Sequence, residues 1–407
     1  MPRTALGKLR SPRVRWSGGV VLAGGLLAAL VPVLSGDPEG TTRQGQAAAA
    51  DGLRHTTVEV SPGGCGRGWG NPRAGTQVFD LHNTSAAAAE VYLTSPRSGA
   101  VFGEVEGIGP GTTRHLRVRL GRGSYAFRCL PDDADAVTGP TVRIGGGGQA
   151  GPAAAPVTEH DLIPPALDYQ KWVAGGLDDL VGRTGTLRAA LARGDLAAAR
   201  DAWLPAHLAY ERLGAAYGAF GDADQQINGT SAGLPDGDRD PEFTGFHRLE
   251  YGLWHGQSAD SLRAPAAALD DAVHRLRDDW AQARMEPADL GLRAHEILEN
   301  TLQSELTGRT DYGSGSTLAT ARAHLDATRA VLTRLRPLLV TRYPGLPYVE
   351  RELSRTQRLL DGLRADGRWP ALSQLDRAQR ERIDAVFGDL VERLASVATL
   401  CDARRTV

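Results

Sequence analysis

The chain changes rhythm partway along. Up to Ile144 it runs in short alternating or β-branched stretches, and from Val157 onward apolar residues recur at helical spacing. Period-two alternation buries one face of a strand, whereas a 3.6-residue period buries one stripe of a helix, so a single regular layer cannot hold both. The expected fold class is therefore multidomain: an N-terminal Greek-key β-sandwich over 55–144, followed by an all-α helical bundle over 157–407. Between them, Gly145–Gly148 and the stretch from Gly151 to Pro156 read as a linker over 145–156.

The strand candidates are Thr56–Val60, Thr76–His82, Glu90–Thr94, Thr112–Leu120, Tyr125–Cys129 and Thr141–Ile144, punctuated by Gly, Pro and Asn. After Val157, Leu180, Leu187 and Leu191 share a face, with Arg183, Arg188 and Arg193 on others. Helices are expected near 165–192, 195–220, 244–256, 262–284, 287–307, 316–337, 342–364 and 376–401, as an up-and-down bundle. Gly221 to Phe243 is the conspicuous loop, with Asp222, Asp224, Asp236, Asp238 and Asp240 among Gly and Pro. Their spacing is not that of a calcium loop, and a solvated acidic turn is expected.

The first residues point to export. Arg3, Lys8, Arg10, Arg13 and Arg15 precede a stretch from Trp16 to Gly36 without charge, a pattern of a signal peptide over 1–36 or, if uncleaved, a membrane anchor. Residues 37–54 are expected to form a disordered leader. Those five bases leave 41 bases against 48 acids in the remainder, a mildly acidic body with no basic stripe, which excludes nucleic acid as a partner.

The residues with the most chemistry lie in Pro-Glu-Phe-Thr-Gly-Phe-His-Arg-Leu-Glu-Tyr-Gly-Leu-Trp, Pro241 to Trp254, where Thr244 is expected to cap a helix. His247 and Glu250 are three residues apart and so share a helical face, a pairing that bundles use to hold metal with carboxylates from facing helices. Two further groups have the same character: His207 with Glu211, and His295 with Glu296 and Glu299. Neither histidine run completes a zinc-peptidase motif. Glu299 stands where the second His of one motif belongs, and Tyr251 where that of the inverted motif belongs. A carboxylate-rich mixed donor set suits iron or manganese at least as well as zinc.

These residues carry a resemblance. Residues 157–407 resemble the imelysin domain, whose Gly-x-His-x-x-Glu hallmark is present as Gly245, His247 and Glu250, and Pro241 to Trp254 is similar to the version found in EfeO-type imelysin proteins. The resemblance implies the extracytoplasmic component of a bacterial iron-uptake system, with a cupredoxin-like domain at 55–144. It implies iron, ferrous or ferric, bound by His247 and Glu250 with acidic residues of neighbouring helices. By position these are Glu211 and Glu296, with Glu299 behind them. It also implies two partners, a membrane iron permease and a haem-peroxidase-like protein of the same system, and a location at the periplasmic or extracellular face of the cytoplasmic membrane. Relatives carry a more acidic and aromatic stretch than Arg309 to Ala319, so no ligand is assigned from that region.

In the family, the positions of Cys65 and Cys129 are paired and associated with copper or with a disulfide. A type 1 copper site wants a His, and often a Met, shortly after its Cys, and Leu130 to Pro140 contains neither, which favours the disulfide over copper. His55, His82 and Glu90 are the other donors of this region, and Cys401 is left over as a buried thiol.

The leading functional expectation is thus a binding protein that captures iron for a permease, not an enzyme. An imelysin-type metallopeptidase is the alternative, and a binder of acidic polysaccharide a third. The third would use Trp172, Trp203, Trp254 and Trp280, whose helical positions suit a core.

Overall fold

The computed structural model describes residues 51–153 and 155–403. The expected signal peptide or anchor over 1–36, and most of the leader, lie outside the described residues. Among the described residues no helix is long and apolar enough to cross a membrane.

The N-terminal part contains eight strands: β1 (His55–Val60), β2 (Gly75–Asn83), β3 (Ala89–Thr94), β4 (Val101–Ile108), β5 (Thr113–Leu120), β6 (Gly123–Pro131), β7 (Val137–Thr138) and β8 (Val142–Ile144). They form a three-stranded sheet, β1-β2-β5, and a second sheet, β4-β3-β6-β7, with β8 on β6. Val58, Phe79, Leu81, Leu116 and Val118 of the first sheet share one core with Val91, Leu93 and Phe127 of the second. That core is what the alternation encodes.

β1 and β2 are parallel, so residues 61–74 must cross over between them. That crossover is fastened twice. Trp69 packs edge-on against Phe79 and Phe127, and Cys65 is joined to Cys129 of β6 by a disulfide with the Cα atoms 5.9 Å apart. Closing a loop of this size is worth about 4 kcal/mol in the chain-entropy account.

β4 and β7 were not expected from sequence. Gly103 and Gly107 break the β4 pattern, yet Gly103 is there for packing: a Cβ would stand 2.8 Å from Leu116 and 2.9 Å from Val118. Its bareness lets β4 lie close over β5.

The helical part comprises α1 (Glu159–Ala192), α2 (Leu196–Glu211), α3 (Tyr217–Phe220), α4 (Asp222–Asn228), α5 (Gly245–Trp254), α6 (Ala259–Asp279), α7 (Asp289–Gln303), α8 (Thr317–Leu339), α9 (Leu346–Asp361) and α10 (Arg377–Cys401). α1 packs on α2 and α6, and α7 on α8 and α10. Leu162, Tyr169, Val173, Leu177, Leu180, Leu187 and Leu191 form the buried stripe of α1. Where α7 meets α10, Gly291 lies so close to the buried Cys401 that a Cβ would be 2.4 Å from its Cβ.

Two expectations are corrected here. α1 starts before Pro164, at a capping box in which the Thr158 hydroxyl accepts from Asp161 N and the Asp161 carboxylate accepts from Thr158 N. The helix expected over 195–220 ends at Glu211, and the chain turns before α3. Within the expected linker, Gly151 N donates to Arg119 O and Arg342 donates to Ala155 O.

Candidate metal centre

α5 is held at both ends by α2. Trp203 Nε1 donates to Phe246 O at 2.9 Å, and Arg200 donates twice to Leu253 O. This fixes the face carrying His247 and Glu250 against the face carrying His207 and Glu211. Gly245 opens the helix with φ +79°, and a Cβ there would lie 2.2 Å from Ile227 O of α4, so no other residue fits without strain. The glycine of the hallmark is therefore a close-approach residue. Thr244 does not cap as expected; its hydroxyl donates to Gln226 O, which further ties α5 to α4.

Glu211 is the hub, with four groups on its carboxylate. His207 Nε2 is 2.8 Å from Oε1 and His324 Nε2, from α8, is 2.6 Å from Oε2. Asn228 Nδ2 donates to Oε1 at 2.8 Å, and the Tyr217 hydroxyl donates to Oε2 at 3.0 Å. The Thr301 hydroxyl, 2.8 Å from His324 Nδ1, holds that imidazole from behind. Beside the hub, the rings of His207 and His247 meet edge to face with centroids 5.3 Å apart. His247 Nδ1 is 3.4 Å from Glu250 Oε2, while Glu250 Oε1 accepts from Tyr312 N, Ser314 N and the Ser314 hydroxyl. Glu211 and Glu250 are 3% and 1% exposed. A cavity of about 170 Å³ opens onto Glu211 and His324, with Glu296, Arg293 and Glu305 also in its wall.

Burial by itself pushes the Glu211 carboxyl up, but the charges and hydrogen bonds of His207 and His324 overcome it and hold the carboxyl well below its usual range. For His207 burial works downward, and Glu211 outweighs it, so its imidazole is raised. Glu250 is lowered in the same way, its burial outweighed by His247 and Ser314. Glu305 is the exception. Burial and then the charge of Glu211 raise it. Burial also raises Asp224, whose carboxylate accepts from the Tyr210 hydroxyl.

The donors fit a hard or borderline cation: imidazole nitrogens and carboxylates in a sheltered pocket, with His207 Nδ1 buried and without a partner. As the structure stands, no three of these ligand atoms lie within 4.8 Å of one another among the described residues. The close pairs are bridged by protons, so an ion that binds here must replace them.

The sequence-derived candidates separate clearly. His247, Glu250 and Glu211 come together with His207. Glu296 lies in the cavity wall, but its carboxylate is paired with Arg293 at 2.5 Å. Glu299 faces elsewhere, accepting from Gln303 and lying 3.7 Å from His295. In the sheets, Glu90 accepts from the Tyr92 hydroxyl.

Sequence reading did not single out His324, Glu305, Asn228 or Tyr217. The available signal for His324 was a histidine on the apolar stripe of α8, between Ala321 and Leu325. The stretch Arg309 to Ala319, which was assigned no ligand, supplies the two backbone N–H groups that hold Glu250. The acidic loop is corrected too: Asp222, Asp236 and Asp238 are exposed, but Asp224 and Asp240 turn inward and the loop forms α4, which delivers Asn228.

Fold and cluster together define a helical protein with a buried His/Glu centre, and the family model for imelysin, a peptidase family designated M75, matches residues 166–397. The match covers more than half of the chain, which belongs to the imelysin family. The chain is similar to the iron uptake system component EfeO of Yersinia pestis, 27% identical over 329 residues, 80% of this chain and 85% of that protein. It is also 25% identical over 326 residues to the component of the same name in Escherichia coli strain K12, again covering 80% and 85%.

Proposed function

We propose that this protein is the extracytoplasmic iron-binding component of an iron-uptake system, capturing iron in the helical part for a membrane permease. The names of its relatives support the iron-uptake role. The observation that carries the reading is the Glu211 carboxylate with His207 and His324 on its two oxygens and the His247–Glu250 pair beside it. These residues, with Glu305, are the proposed ligand pool for iron, which is the cargo. Glu296, in the cavity wall and paired with Arg293, and Glu299 are left out of the pool. Export, and a haem-peroxidase-like partner in the same system, belong to the same reading.

His247→Ala and Glu250→Ala are each expected to weaken ferrous iron binding about 100-fold or more while leaving helical content unchanged. Anaerobic calorimetric titration and circular dichroism check this, with ferric citrate in air as a second arm. Unchanged affinity in both variants removes the centre from the proposal. The family's peptidase designation gives the second reading its weight, and metal-dependent peptide cleavage abolished by Glu250→Ala would favour it.

A further inference from the structure

The outer face of the three-stranded sheet carries a second, separate cluster. Asp80 of β2 stands opposite His115 of β5 in the antiparallel register, and His55 begins β1 on the other side of β2. His55 Nδ1 is 2.9 Å and His115 Nδ1 2.7 Å from the same oxygen, Asp80 Oδ1. The three side chains each offer one ligand atom within 4.8 Å of the others, the one such group among the described residues.

We propose that His55, Asp80 and His115 form a binding site for a divalent first-row transition ion, distinct from the helical centre. A metal–ligand distance of about 2.1 Å places adjacent ligand atoms roughly 3 Å apart, so Asp80 already holds both imidazole nitrogens at nearly the edge length of a coordination shell. Two imidazoles and one carboxylate on adjacent strands are a facial donor set, with the remaining positions left to water.

A second observation points the same way. Asp51 Oδ2 lies 3.2 Å from His55 Nε2. A carboxylate on the far nitrogen of an imidazole fixes the tautomer and turns the near nitrogen toward the ion, which is the usual arrangement behind a metal-bound histidine. Without metal, His55 lies between two carboxylates, Asp80 at Nδ1 and Asp51 at Nε2. Binding replaces the proton between Nδ1 and Asp80 and releases it to solvent.

The site is graded in exposure. The His55 and Asp80 side chains are 25% and 19% exposed, and that of His115 is 68% exposed. This gives two sheltered ligands and one at the mouth, a geometry for an exchangeable ion rather than a structural one. His82, two residues along β2 from Asp80, is tied to the Thr113 hydroxyl.

The test is a titration of the full chain with Zn(II), and with Cu(II) followed by electron paramagnetic resonance, in the wild type and in Glu211→Gln, which disables the helical centre. In both backgrounds, His55→Ala, Asp80→Asn and His115→Ala are each expected to remove one equivalent, and Cu(II) should show nitrogen coupling that His115→Ala reduces. Asp51→Asn should keep the equivalent and weaken it about 10-fold. An unchanged stoichiometry in the three ligand variants, with fold intact by circular dichroism, overturns the site. So does a site whose affinity is no tighter than that of free imidazole.

Discussion

The two His-and-carboxylate clusters use the same functional groups in opposite settings. Around Glu211 the histidines and glutamates of α2, α5 and α8 are buried, with the partly buried Asn228 of α4 and Glu305 of the turn after α7 beside them, so the cluster is gathered from distant stretches of chain. On the sheet, His55, Asp80 and His115 lie on three hydrogen-bonded neighbours, and their geometry follows from strand register alone. In the buried cluster removal from water makes each charge depend on a partner, so it resists partial change. In the sheet cluster the groups keep contact with water, His115 most of all, and losing a neighbour costs little fold. The buried centre should therefore couple metal to stability, and the sheet site should bind metal with almost no effect on folding.

The strongest attempt to break this contrast is Glu211→Ala. It strands His207 and His324 in the interior, where loss of one member of a buried ion pair costs about 3–5 kcal/mol. Iron binding is expected to vanish and the urea midpoint to fall clearly. Asp80→Asn should lower the unfolding free energy by less than about 1 kcal/mol. Equal effects from the two variants would mean that burial does not separate the clusters.

The same contrast explains how much the sequence discloses. Strand alternation and helical periodicity are local signals, so the two-part fold class is legible, as is the i, i+3 pair His247–Glu250. Gly245 is legible as a motif member, but the clash with Ile227 O that requires it is tertiary. His324 and Asn228 reach Glu211 across 113 and 17 residues of chain, and no spacing rule links them. Asp80 and His115 were hidden for a milder reason: pairing β2 with β5 requires knowing the register. β4 was missed because its glycines look like loop residues, although Gly103 serves the contact with Leu116 and Val118.

Proton linkage sharpens the comparison. Glu211 is held below its ordinary value of 4.5, so its contribution to stability is present above that pH and lost as pH falls through the depressed folded value. His207 is raised above 6.5, so its contribution is complete below that pH and lost as pH rises through the raised folded value. The iron-free protein should draw most stability from this pair between those two ordinary values. Iron affinity should do the reverse on the alkaline side, rising by up to about tenfold per pH unit while the proton on His207 is displaced. Urea melts and anaerobic ferrous titrations over the same pH series measure both, and iron affinity that does not change with pH would show that His207 gives up no proton to the ion.

The smallest expected effect comes from a residue that touches no ion. The Thr301 hydroxyl donates to Ile297 O at 2.7 Å, so toward His324 Nδ1 it can only accept. That commits the Nδ1 proton and leaves Nε2, the nitrogen 2.6 Å from Glu211, as the one that exchanges a proton for metal. Thr301→Val keeps the shape and removes the acceptor, freeing the imidazole to flip or change tautomer. Iron affinity should drop about 10-fold, the usual size for a group that orients a ligand, and stability should fall by about 1 kcal/mol for the lost hydrogen bond. Thr301→Ser retains the hydroxyl and should restore most of the affinity. A Ser variant as weak as the Val variant would show that packing of the methyl group, and not the hydrogen bond, sets the position of His324.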